Sequence, residues 1–161
     1  MRNKLFISLL IFSVFTEAGD LKQNKVPTKH NSNLTLQNIA DIQPGLGTIM
    51  VEFGHRFYVA YYAAKAENWG LAGYQLHELI EAIEVAEITR PKYKVKLKAF
   101  EDHFIKPLQE NIKSKSSKKF SKNYTSTIDA CNTCHIDMGH PYIQYKLPSS
   151  APLTLKMQLS S

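Results

Sequence analysis

The sequence predicts an all-α fold, arranged as an up-down-up-down four-helix bundle. Apolar residues recur at steps of three or four along four long stretches, which are separated by short polar connectors. No stretch alternates apolar and polar residues between turn signals, and the chain has no Asn-Gly dipeptide of the kind that favours a hairpin. Helices with one apolar face each bury those faces most simply by packing against one another in a bundle.

The overall composition indicates a single globular domain. The 161 residues are 43% hydrophobic and 21% charged, which excludes collagen-like, wholly disordered and polytopic membrane proteins. Lysine and arginine outnumber aspartate and glutamate by 20 to 14, a net charge of +6. Arginine occurs only at positions 2, 56 and 90, so the dense basic patches of nucleic-acid-binding proteins are missing. We therefore expect no nucleic-acid partner.

Residues 1–18 are predicted to be a secretory signal peptide. A basic start is followed by an uncharged apolar run from Leu5 to Phe15 and by small residues before Gly19. A membrane span needs roughly 20 apolar residues, and this run has about half that number. We therefore predict cleavage near Gly19, export to the periplasm, and a soluble product without a membrane span.

Three further segments follow the signal peptide. Residues 19–43 are polar and lack a sustained apolar period, which predicts a flexible lead-in. Residues 44–148 contain the four periodic stretches and form the predicted bundle domain. Residues 149–161 end in Ser-Ser and contain Pro152, which predicts a loosely held C-terminal tail.

The first two helices are predicted at residues 46–66 and 70–88. Leu46 opens the first apolar stripe, and the Asn-Trp-Gly sequence at 68–70 interrupts it. The second stripe ends before Pro91, because the residue that precedes a proline is disfavoured in the helical region.

The third and fourth helices complete the bundle. The third stripe covers residues 93–112 and contains Pro107, which predicts a kink because proline has no amide hydrogen to donate. The fourth helix is predicted at residues 118–137, with Ser117 as its N-cap. Gly139 and the nearby Pro141 are expected to end it.

The fourth helix carries the most informative motif of the chain, Cys131-Asn-Thr-Cys134-His135. Cys-x-x-Cys-His is the attachment sequence of c-type haem. Residues three and four apart share a helix face, so both thiols can reach one porphyrin edge while the histidine turns towards the iron. We therefore predict one covalent haem c, bound through Cys131 and Cys134, with His135 as an iron ligand.

Three interpretations without haem remain open for the same residues. The cysteine pair could be a redox disulfide, although that motif usually lies at a strand-to-helix junction and no strand precedes it here. It could also be a purely structural disulfide. A zinc site made by Cys131, Cys134, His135 and His140 is a further alternative, although adjacent ligands crowd a tetrahedral ion.

A single haem motif on the last helix of an exported four-helix bundle resembles the class II cytochromes c, the cytochrome c prime type, and the fold is similar to that of cytochrome b562. The resemblance covers residues 44–140. It implies either single-electron transfer or, if the sixth iron position is open, the binding or sensing of a diatomic gas. The Gly139-His-Pro-Tyr142 sequence departs from the family, in which the helix usually continues for a turn or more, so the haem edge is expected to be covered differently.

Met50 is the predicted sixth iron ligand. In an up-down bundle the end of the fourth helix, with His135, lies level with the start of the first helix. Met50 lies there, on the predicted inward stripe with Phe53 and Phe57, and its thioether can ligate haem iron. His55 is on the same helix but off that stripe, so we rank it lower. An open position and a histidine from elsewhere are the alternatives.

Charged residues give weaker indications. Five lysines surround the connector before the fourth helix: Lys113, Lys115, Lys118, Lys119 and Lys122. They could steer an acidic redox partner, but the up-down topology puts this connector at the opposite end from His135. Glu52, His55 and Arg56 are predicted to form an ordinary polar helix face.

These observations predict an exported monohaem c-type cytochrome that carries single electrons and is not an enzyme. Its expected partner is a redox protein, acidic if the lysines steer it. The oligomeric state is left open, with a homodimer as one alternative.

Overall fold

The structure is a computed structural model that describes residues 24–30 and 33–158. The chain divides into two compact units, residues 1–43 and residues 44–161. The predicted signal peptide, residues 1–18, lies outside the described residues. Helix dominates the described part of the chain, as the sequence predicts, although a short sheet is also present.

The first unit contains the sheet and a short helix. Strands β1 (Lys25–Pro27) and β2 (Asn33–Thr35) pair in antiparallel register, with Val26 opposite Leu34. Helix α1 (Leu36–Asp41) follows at once and is capped by Thr35. The sequence predicts an all-α chain with a flexible lead-in here, and the two short strands depart from the all-α part of that prediction. Strands of three residues are too short to produce a readable alternation of apolar and polar residues.

Helices α2 (Leu46–Lys65) and α3 (Trp69–Thr89) begin the second unit and lie close to their predicted bounds. The side chain of Asn68 caps α3 by accepting a 3.1 Å hydrogen bond from the amide of Leu71. Many of the buried positions of α2 and α3 are alanines. Their small side chains allow the two helices to approach each other closely. The buried alanines are Ala60, Ala63, Ala64, Ala72 and Ala86.

The third predicted helix is present as a composite. It consists of a 3₁₀ turn (Pro91–Tyr93), α4 (Lys94–Phe100), a π-helical turn (Glu101–Ile105) and α5 (Lys106–Lys113). The π turn lies directly before Pro107, the position of the predicted kink. Proline cannot donate to the carbonyl four residues before it, and its ring clashes with that carbonyl, so the wider turn relieves a local conflict.

Helix α6 (Ser117–Asp137) is the last helix. Ser117, the predicted N-cap, is its first helical residue, and Ser116 takes the N-cap position without a side-chain capping bond. Gly139 ends the helix with φ +80°, and the amide of His140 donates to the carbonyl of His135 at 2.8 Å. This is the Schellman type of helix ending, which explains why the helix stops where the sequence predicts.

Aromatic side chains join α2 to α6 in the core. Phe57 and Tyr124 are almost fully buried, and their rings stack at 3.9 Å between centroids with an interplanar angle of 10°. The hydroxyl of Tyr124 also donates a 3.1 Å hydrogen bond to the carbonyl of Phe57. A buried hydroxyl without such a partner would destabilise the fold, so this bond allows a tyrosine at the centre of the core.

Residues 139–158, which we name the C-terminal strap, fold back along the helices. The hydroxyls of Tyr62 and Tyr58 on α2 donate to the carbonyls of Pro148 and Ser150, at 2.7 and 2.6 Å. Met157 is 5% exposed and belongs to the hydrophobic core. The prediction of a loosely held tail from residue 149 therefore differs from the structure. The acceptors of these hydrogen bonds are backbone carbonyls, which every residue has, so a sequence pattern cannot indicate them.

Among residues 24–30 and 33–158, no helix combines the length and the apolar character that crossing a membrane requires.

The docking of the strap can be tested by truncating its buried methionine. Met157→Ala should lower the free energy of unfolding by about 2 kcal/mol, because it leaves a cavity in the core. Leu153→Ala is the matched control, since Leu153 lies in the same strap and is fully exposed. Urea unfolding of the mature protein measures both values. Equal stability of the two variants would mean that the strap is not docked.

Candidate functional site

The cysteines and the histidine of the motif lie in the last two turns of α6, as the sequence predicts. Cys131 and Cys134 are both partly buried free thiols. Their spacing of three residues places them near one face of the helix, and His135 is four residues from Cys131. The structure therefore brings the three predicted attachment residues together on one rigid element.

The two thiols have different surroundings. Cys131 packs against the hydrophobic core, and burial raises its pKa to about 12, with the neighbouring Cys134 adding to the rise. Burial also raises the pKa of Cys134, while Lys96 on α4 opposes this change. Lys96 lies close by, because its Nζ is 3.4 Å from Sδ of Met138, one turn after Cys134.

The surroundings of the two thiols differ from those of a typical redox-active cysteine pair. A redox-active cysteine pair typically has a lowered thiol pKa at a helix N-terminus, whereas these thiols lie near a C-terminus and have raised pKa values. Over residues 24–30 and 33–158, no three side chains of His, Cys, Asp or Glu are grouped as a metal site requires. His140 instead contacts the hydroxyl of Tyr142 at 3.0 Å.

A backbone carbonyl orients the imidazole of His135. Its Nδ1 lies 2.9 Å from the carbonyl oxygen of Ile143 in the strap. A carbonyl can only accept, so the imidazole must donate, and its proton is on Nδ1. In the neutral imidazole this tautomer leaves the lone pair on Nε2, the nitrogen through which such a histidine can bind a metal.

The strap is fixed next to this carbonyl by Asn132, a residue inside the motif. The side-chain amide of Asn132 donates to the carbonyl of Tyr145 at 3.0 Å, and its oxygen accepts from the amide of Tyr145 at 2.7 Å. The hydroxyl of Tyr145 lies 3.3 Å from that of Tyr124 and 3.4 Å from the carbonyl of Gly54 on α2. Tyr145 thus connects the motif to the core.

Asn132, Ile143 and Tyr145 are parts of the site that the sequence analysis missed. Asn132 occupies a variable position of Cys-x-x-Cys-His, so the motif gives it no role. Ile143 contributes only its carbonyl, which any residue could supply. The one available signal was the apolar and aromatic content of residues 142–147 directly after Pro141, which is unusual for a freely exposed connector.

Met50, the predicted sixth ligand, lies near the start of α2. It is partly buried and sits beside Ile49, which is buried. The next turn of α2 is connected to the motif through Tyr145. The hydroxyl of Tyr145 donates to the carbonyl of Gly54, and the amide of Tyr145 donates to the side chain of Asn132 in the motif. The hydrogen bonds of His135 run to the strap and do not involve Met50, so its role as ligand stays a prediction.

Charged and polar side chains on α2 and α3 form several pairs, among them Glu52 and Arg56 of the predicted polar face. Arg56 lies 2.7 Å from Glu52 and 3.7 Å from Glu78, and it also donates to the side chain of Gln75 at 3.2 Å. His77 and Glu81 are 3.3 Å apart. The Glu52–Arg56 pair lies along α2, the contacts of Arg56 with Glu78 and Gln75 join α2 to α3, and the His77–Glu81 pair lies along α3.

Comparison with known proteins leaves the site to be interpreted from its own chemistry. No protein-family model, curated protein or solved structure matched the chain. The functional assignment therefore rests on the motif of α6 and on the groups that surround it.

The turn that carries the strap away from the motif can be tested through Gly139. Gly139→Ala should destabilise the protein by about 1 kcal/mol, because φ +80° is strained for a residue with a Cβ. Gly47→Ala is the matched control: Gly47 lies in α2 without a positive φ, and a Cβ there meets nothing within 4 Å. It should be neutral or slightly stabilising. Denaturant unfolding compares the two, and equal losses would contradict the assigned turn.

Proposed function

We propose that the protein is an exported monohaem c-type cytochrome that carries single electrons. The observation that carries this proposal is the hydrogen bond from His135 Nδ1 to the carbonyl of Ile143. Histidines that ligate metals usually donate their second ring nitrogen to a carbonyl or carboxylate, which fixes the tautomer and the ring orientation. Here that arrangement occurs at the histidine of a Cys-x-x-Cys-His sequence.

The residues present fit a covalent haem c. Cys131 and Cys134 would hold it through thioether bonds, and Nε2 of His135 would be the proximal iron ligand. Haem supplies a one-electron couple when bound, and the chain's part is to orient the imidazole and to limit the access of water. Partial burial of both thiols and the apolar core beside Cys131 supply the low-dielectric side of such a site.

The finer architecture that goes with this function is an up-down-up-down four-helix bundle. Its helices would be α2, α3, the composite at residues 91–113, and α6. The contacts support this arrangement, because α2 packs on α3 and α6, and α5 packs on α3 and α6. In this topology the C-terminal end of α6 lies beside the start of α2, which would place the haem between the motif and the region of Met50.

Export and partner belong to the same proposal. Attachment of haem c requires reduced thiols outside the cytoplasm, and residues 1–18 have the pattern of a signal peptide. Exposed lysines on α4, among them Lys94 and Lys96, lie on the element next to Cys134. They favour an acidic redox partner at this end over docking at the more distant lysines of residues 113–122.

The first test is the haem content of the natively matured protein. Its intact mass should exceed that of the chain starting near Gly19 by one haem, and the pyridine haemochrome spectrum should be of the c type. Replacing both cysteines, Cys131→Ser with Cys134→Ser, should abolish the covalent haem. A wild-type protein with the bare polypeptide mass and a Cys131–Cys134 disulfide would overturn the proposal.

The second test concerns the sixth ligand and separates electron transfer from gas binding. If Met50 ligates the iron, the ferric protein has a weak far-red absorption band, which Met50→Ala should abolish. Met138→Ala is the matched control, because Met138 is also a partly buried methionine and lies next to the motif. A high-spin wild-type spectrum with ready carbon monoxide binding would instead assign the cytochrome c prime-like gas-binding role.

A further inference from the structure

We infer that Asn132 is a positioning residue for His135, the proposed proximal ligand. Its two hydrogen bonds to the backbone of Tyr145, which we name the Asn132 clamp, help to set the reduction potential of the haem. The inference rests on the proposed haem function and goes beyond it, because it gives a role to a motif position that has no defined role in haem attachment. The structural basis is the pair of hydrogen bonds from one side-chain amide to both backbone groups of Tyr145.

The clamp matters because the acceptor carbonyl lies in an exposed turn, which is held within itself by a 2.9 Å hydrogen bond from the side chain of Gln144 to the carbonyl of Pro141. The turn that contains the acceptor carbonyl is solvent-exposed, since Tyr142 is 77% exposed and Ile143 is 46% exposed. Apolar packing therefore contributes little to its position, and exposed turns without buried contacts open readily. Two backbone bonds fix the start of the turn, from His140 to the carbonyl of His135 at 2.8 Å and from Ile143 to that of His140 at 3.0 Å.

Asn132 fixes the other end of the turn. Tyr145 lies two residues after Ile143. The chain is therefore fixed before the acceptor carbonyl by the helix ending at Gly139 and after it by the Asn132 clamp. The hydroxyl of Tyr145 adds contacts to Tyr124 and Gly54, which tie this end of the turn to the core. Loss of the clamp would remove both bonds that join the backbone of Tyr145 to α6, and this end of the turn would then be held through the side chain of Tyr145.

The expected effect on the iron follows from ligand basicity. A hydrogen bond from Nδ1 to a carbonyl makes the imidazole a stronger donor through Nε2, which favours ferric over ferrous iron. When the carbonyl moves away, this preference weakens. Removal of the clamp should therefore shift the reduction potential to more positive values.

The experiment compares the natively matured, haem-loaded wild type with Asn132→Leu and Thr133→Ala. Thr133 is the other variable residue of the motif, and its hydroxyl bonds only within α6, to the carbonyl of Asp129 at 2.9 Å. Asn132→Leu should shift the potential upwards, and exchange of the Tyr145 amide and the His135 Nδ1 proton should become about tenfold faster. Thr133→Ala should change neither. If leucine impairs folding, Asn132→Ala removes the same bonds without added bulk.

The outcomes separate this inference from the proposed function. If all variants contain covalent haem and Asn132→Leu has the potential of Thr133→Ala, the positioning role is wrong and the cytochrome assignment stands. Faster exchange at Tyr145 without a change in potential would also overturn it, because the clamp would then be structural only. A natively matured wild type without haem would overturn the proposed function and this inference together.

Discussion

The arrangement of the site depends on the hydrogen bond that the buried hydroxyl of Tyr124 donates to the carbonyl of Phe57. Tyr124 lies in the middle of α6, stacks on Phe57 of α2 and donates to the carbonyl of that residue. These two contacts fix the rotation and the axial position of α6 relative to α2. Because an α-helix is rigid over two turns, fixing Tyr124 also fixes the direction in which Cys131 and His135 face. Tyr145 extends the same network to the strap through the 3.3 Å contact between the two hydroxyls.

The network does not depend on pH in the range where proteins are usually active. Burial raises the pKa of Tyr124 and of Tyr145, so both hydroxyls remain protonated and continue to donate. The folded pKa values lie above the unfolded value of about 10, so their contribution to stability is fully present below that pH. It is lost as the pH rises further, because the unfolded state then releases protons that the folded state retains. The orientation of α6 should thus be constant around neutral pH.

The sequence predicted the helices well where both the apolar period and the end signals were strong. For α2, α3 and α6 the predicted bounds agree with the structure to within about two residues, because Asn68, Pro91 and Gly139 mark their ends. The endings of α2 and α5 show the limit of such signals. Both helices end with a residue at positive φ, as α6 does, but Glu67 and Lys115 occupy those positions in place of glycine. A glutamate and a lysine carry no sequence signal for that conformation.

The sequence indicates those groups of the candidate site that are side chains, but it does not indicate the backbone groups that orient them. Cys131, Cys134 and His135 could be singled out in the sequence because thiols and an imidazole at that spacing are rare and specific. The groups that orient them are a carbonyl of Ile143 and the two backbone groups of Tyr145, and every residue has such groups. The fold selects these particular ones by turning the chain back at Gly139, so that the backbone of Tyr145 reaches the side chain of Asn132. The motif thus specifies which atoms could hold a haem, whereas the strap determines how the imidazole of His135 is held, and only the second depends on the folded structure.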